Sequence, residues 1–138
     1  IETLGVEVIA IKRFDSADVV ASYTYLDKSE DYRIDEVDAS FYALNYPPHR
    51  ATLGVVWFAT DTIEIRVDNE WRKQENNALR KGSDSAFFSH VALTYSPAQI
   101  EGLNLVLAVD NLWDERFEEI PGTPGRGDQY SATVTYFW

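Results

Sequence analysis

The final nine residues, Tyr130-Ser131-Ala132-Thr133-Val134-Thr135-Tyr136-Phe137-Trp138, restrict the fold more than any other stretch. Counting back from Trp138, every second residue is apolar or aromatic: Tyr136, Val134, Ala132 and Tyr130. Thr135, Thr133, Ser131 and Gln129 lie between them, with Phe137 as the exception. Successive side chains of a β-strand point to opposite faces, so this segment reads as a strand with one greasy and one polar side. Such a strand, ending on an aromatic, suits a barrel wall with hydrocarbon outside and water inside.

The same period recurs upstream. In Ile63–Arg72 the odd positions Ile63, Ile65, Val67 and Trp71 are apolar, whereas Glu64, Arg66, Asp68, Glu70 and Arg72 are all charged. A helix would spread those charges around its circumference; a strand gathers them on one face. Leu103–Leu112, Phe87–Tyr95, Ala51–Phe58, Val19–Leu26 and, more weakly, Leu4–Lys12 follow the rule. The reading is therefore all-β, an antiparallel up-and-down meander of about seven strands. Most are about ten residues long, enough to cross a bilayer at a tilt.

The connections alternate. Short turns fall near Phe14–Asp18, Ala59–Thr62 and Ser96–Gln99, and long loops near Asp27–Pro48, Lys73–Ser85 and Asp114–Asp128. Short turns at one end and long loops at the other is the layout of outer-membrane barrels. On that reading the first and last strands both run inward. A complete bacterial barrel has an even strand number, so seven strands are expected to be the back end of a larger barrel.

Composition narrows the function classes. Over 138 residues the formal charge is −11, which leaves no basic stripe for nucleic acid. Aromatics make up 14%, eight of them Tyr, a residue type that favours water–lipid boundaries. Cysteine is absent, which excludes disulfides, thiolate metal sites and a cysteine nucleophile. Mean hydropathy is −0.30 and no run of apolar residues is long enough for a membrane helix. Catalytic signatures are missing: no G-x-S-x-G elbow, H-E-x-x-H, P-loop or G-x-G-x-x-G. The chain is not expected to be an enzyme or to need a cofactor.

Val109-Asp110-Asn111-Leu112-Trp113-Asp114-Glu115-Arg116-Phe117, then Pro124-Gly125-Arg126, then the aromatic terminus resemble the C-terminal end of TonB-dependent outer-membrane receptors. Trp113 stands where that family usually has Phe, and Phe117 where it usually has Tyr. Gly5-Val6-Glu7, Ala21–Asp27 and Pro48-His49-Arg50 match further family pieces in order. The resemblance implies a segment (residues 1–138) of a 22-stranded barrel closed by a plug. The plug and the N-terminal strands lie outside this sequence. It also implies a Gram-negative outer-membrane location and import of a scarce ligand such as a ferric siderophore or cobalamin. The partners implied are membrane lipid, the remaining strands and plug, the TonB complex through an N-terminal box, and the barrel-assembly machinery.

Each candidate site has a plainer alternative. Tyr130, Val134, Tyr136 and Trp138 resemble the signal read by the assembly machinery, or simply face lipid. Glu64, Arg66, Asp68, Glu70, Arg72 and His90 would face the lumen, lining a ligand path or only a wet wall of weak ion pairs. The acid-rich loop 27–38 could attract a hard cation but lacks EF-hand spacing, so a solvated loop is the plainer reading. His49 and His90 are far apart and lack converging ligands, so no metal site is expected. Pro121–Gly127 is glycine-rich but lies between strands, with no helix behind it to cradle phosphate. Two rivals remain: a complete small barrel with a structural or adhesive role, its extra strand within Phe41–Tyr46, and a soluble barrel with its apolar face turned inward around a small apolar ligand. A segment with two open edges, isolated from its neighbours, is also expected to pair edge to edge with a second copy or to aggregate.

Overall fold

The computed structural model describes residues 2–29 and 46–138. They form seven strands: β1 Glu2–Arg13, β2 Ala17–Ser29, β3 His49–Thr60, β4 Ile63–Lys73, β5 Ser85–Tyr95, β6 Leu103–Asp110 and β7 Gln129–Tyr136. Every strand pairs antiparallel with the next, giving one sheet in the order β1-β2-β3-β4-β5-β6-β7. The chain is an all-β meander, and no helix occurs among the described residues. Most of the acidic loop, and the Phe41–Asn45 part of the possible extra strand, lie outside them.

The registers sort the side chains into two faces. Val67 lies between Val55 and Val91, and Val91 lies opposite Val109. Leu105 is flanked by Tyr95 and Val134. These residues share a face with Val6, Val8, Leu53 and Leu107, because strand side chains alternate. Aromatic residues flank this apolar band. Trp57, Tyr95, Tyr136 and Trp138 sit near the short-turn ends, and Tyr23, Tyr25, Trp71, Phe87 and Tyr130 toward the long-loop ends. All nine are exposed. The opposite face carries Glu64, Arg66, Asp68, Glu70, Arg72 and His90 together with Ser22, Thr52, Thr94 and Thr133. It is not uniformly polar: Ile9, Ile11, Val20 and Phe58 lie on it and are exposed.

A dry centre is absent from the described residues. Among the described residues the only buried hydrophobic side chains are Ala86 and Phe117, both at the long-loop end. Val67 and Leu105 are half-buried and Tyr136 is exposed. The apolar band is thus an uncovered face of a single sheet, not a core.

Two strand ends fall short of the sequence pattern: β7 stops at Tyr136, leaving Phe137 and Trp138 beyond it, and β6 also stops early. Leu103–Leu112 reads as a continuous strand, but β6 stops at Asp110. Asn111 takes φ +51°, the left-handed region that Asn and Asp tolerate better than other side chains, and the chain turns there. The Leu112 amide still donates to the Ser89 carbonyl at 2.8 Å, so the chain stays beside β5 for one more step. Strands β6 and β7 are shorter than β5, and segment 111–128 fills the step that this leaves over the polar face.

Candidate functional site

Segments 74–84 and 111–128 lie at the long-loop end, and a recess of about 480 Å³ opens between segment 111–128 and the polar face of β4 and β5. Its wall comes from alternation: Glu70, Arg72, Phe88 and His90 all fall on the polar face. Glu70 accepts from Arg50 at 2.6 Å and from Arg72 Nε at 2.6 Å. The Arg72 guanidinium lies 5.2 Å from the centre of the Phe88 ring, close enough for cation–π attraction, and reaches across the recess to Glu119. His90 Nδ1 lies 3.2 Å from Asp110 Oδ1. Lower on the same face Arg66 Nε donates to Asp68 at 2.6 Å.

Arg80 holds the two segments together. Its side chain is only 1% exposed, although it sits in the middle of a loop. It donates to Gln74 Oε1 at 2.5 Å, to the Glu75 carbonyl at 2.9 Å, to the Glu118 carbonyl at 3.0 Å and to the Asp84 carboxylate. The guanidinium also lies 5.5 Å from the centre of the Phe117 ring, and that ring meets Phe88 edge-on at 6.5 Å. A buried charge is tolerated when its donors are satisfied this fully. Glu118 tightens the join by accepting the backbone N–H groups of Gly122 at 3.1 Å and Lys81 at 3.2 Å. Those two donors, Gly122 first, hold its carboxyl below the usual glutamate range.

The motif residues quoted above acquire separate roles here. The buried Asn111 amide donates to the carbonyls of Glu115 at 3.0 Å and Arg126 at 2.9 Å, while its oxygen accepts the Glu115 N–H. It thereby closes the base of the loop. Phe117 fills the space beneath, and Gly125 passes so close that a Cβ there would fall 2.9 Å from the Phe117 nitrogen. Pro124 and Arg126 line the recess on either side of it. Asp114 sits at φ +52° and accepts from Arg116 and from the Asp128 N–H; its carboxyl is held below the usual aspartate range, chiefly by Arg116. Trp113 leaves the recess altogether. Its Nε1 donates to Ser89 Oγ at 2.7 Å, and Ser89 donates to Asn69 Oδ1 at 2.7 Å. Ser89 and Asn69 belong to the apolar face, so the indole covers a polar pair and joins the aromatic margin. Leu112 is exposed beside it.

The recess thus unites Glu70, Arg72 and His90 with Asn111, Phe117, Pro124, Gly125 and Arg126, and leaves Glu64, Arg66 and Asp68 below it on the wall. Arg80, Glu118 and Glu119 were not singled out by the sequence, since charged residues in a long loop carry no periodicity. His49 falls on the opposite face, its Nδ1 2.8 Å from the Tyr23 hydroxyl. Among the described residues no group of three or more His, Cys, Asp or Glu side chains is placed to hold a metal ion.

Among solved structures, the fold is similar to the ferric-catecholate import receptor Fiu of Escherichia coli K12 in a closed form, with a TM-score of 0.67 over 96% of this chain at 19% identity. The chain spans 20% of that receptor's length. At that identity the likeness is one of fold: an all-β antiparallel meander similar to part of that receptor's barrel. No protein-family model matches the sequence, and no curated protein does.

Proposed function

We propose that this chain forms the C-terminal part of the barrel wall of a TonB-dependent outer-membrane receptor, with its apolar face in lipid and its polar face toward the lumen. The observation that carries the reading is the exposed apolar band running across the sheet between two margins of aromatic residues. Lipid is the solvent that such a surface suits. A soluble barrel would draw Val67 and Leu105 into a dry centre; both are half-buried, and no such centre forms among the described residues.

On this reading the remaining strands close against the free edges of β1 and β7, a plug fills the lumen, and TonB drives import through an N-terminal box. Tyr130, Val134, Tyr136 and Trp138 serve the assembly machinery as well as the lipid contact. Glu64, Arg66, Asp68, Glu70, Arg72 and His90 belong to the lumen wall. Isolated from its neighbours, the chain is expected to pair through its open edges with a second copy.

On this reading the imported ligand is a scarce one such as a ferric siderophore or cobalamin, and the likeness to a ferric-catecholate receptor makes ferric complexes the first to test. The test is deletion of the gene in its native host, followed by growth with ferric catecholates, ferric hydroxamates or cobalamin as the limiting nutrient. Loss of growth on one of these, restored by the intact gene, is the expected result. Undiminished growth on all of them contradicts import of this ligand class.

A further inference from the structure

The polar face and the loop above it share one ion network in which the last member is easily replaced. Arg50, Glu70, Arg72 and Glu119 connect in a line, two positive and two negative. Arg72 is held in place independently of Glu119: Glu70 fixes one side and the Phe88 ring supports its plane. Its side chain is 19% exposed, whereas that of Glu119 is 64% exposed. The two partners are therefore unequal. An ordered, planar guanidinium has little freedom left to lose on binding a carboxylate, while the exposed glutamate gives up solvent and rotamer freedom to stay there.

Without Glu119 the network of Arg50, Glu70 and Arg72 carries one net positive charge, and the Arg72 Nη1 that Glu119 held is left facing the recess, beside Phe88, Ile120 and Pro124. A planar cation against an aromatic ring, next to apolar surface, is suited to a ligand with a carboxylate on a flat ring. We infer that Arg72 is an anion-binding subsite for aromatic carboxylates, and that Glu119 is its resident competitor, displaced when such a ligand enters. Glu119 adjoins Glu118, which grips segment 74–84 through the Lys81 N–H. Displacement therefore frees the loop tip from the wall while Arg80 keeps the two segments joined. The inference rests on the recess alone and holds whatever the barrel imports.

Sodium benzoate, at ionic strength held constant with sodium chloride, is the probe for the intact protein containing this chain. Binding is followed by saturation-transfer NMR. Loop movement is followed by a nitroxide on Thr123→Cys; this sequence contributes no other cysteine, and any elsewhere in the intact protein is first replaced by serine. Benzoate should bind and loosen the label. Glu119→Gln should loosen it without benzoate and tighten benzoate binding roughly two- to fivefold, the factor expected from losing an exposed competing ion pair. Arg72→Gln should abolish binding. The substituted Glu119 side chain is exposed, so that variant keeps the wall intact and decides the question even where Arg72→Gln does not fold. Absence of benzoate binding, or equal affinity in the parent and Glu119→Gln proteins, overturns the proposal.

Discussion

Replacing Arg80 with Met will cost about 3–5 kcal/mol and release both long segments from the polar face, the magnitude expected when one member of a buried charged network is removed. The methionine fills much of the volume but donates nothing. Gln74 Oε1, the carbonyls of Glu75 and Glu118, and the Asp84 carboxylate all lose their donor at once, and Phe117 loses the cation over its ring. Hydrogen exchange distinguishes this from general unfolding. Protection should fall in 74–84 and 111–128 and persist in β4 and β5, whose ladder does not involve Arg80. A variant that keeps loop protection and loses less than about 1 kcal/mol would show that an ordinary exposed pair was removed, not a buried one.

The second large effect belongs to the opposite face. Val67→Arg places a guanidinium in the centre of the apolar band, between Val55 and Val91. In lipid that position costs about 2–4 kcal/mol, falling toward zero near the aromatic margins. Thr94→Arg puts the same group on the polar face directly opposite Glu64, where it should be nearly neutral. Urea titration of the intact protein folded into lipid vesicles reads both. Equal destabilisation by the two substitutions would mean that the faces do not meet different solvents.

The meander was legible because each strand separates its solvents by alternation, and the period survives even when single positions depart from it, as Ile9 and Ile11 do. The end of β6 was not, since Leu112 continues the apolar pattern past the residue that breaks it. The signal available was Asn111 itself, a residue type that accepts the left-handed conformation. Glu70, Arg72 and His90 could be assigned to the polar face from spacing. Their partners could not, because Glu119 and Arg80 reach the site through loops whose path depends on tertiary contacts. The motif drew attention to Asn111, Phe117 and Gly125, but their roles as loop closure, filler and close approach emerge only from the packing. Trp113 is the sharpest case: adjacent to the loop in sequence, it serves the other face of the sheet.

The most direct test of the central claim, that the apolar face meets lipid and the polar face water, is collision accessibility of nitroxides placed singly along both faces of the intact protein in bilayers. Labels at Val67, Leu105 and Val134 should collide freely with oxygen and be shielded from a water-soluble nickel chelate, with the reverse order at Ser22, Thr94 and Thr133. Labels at Val67 and Leu105 that are open to the chelate, or shielded from both reagents as in a protein core, would contradict the account.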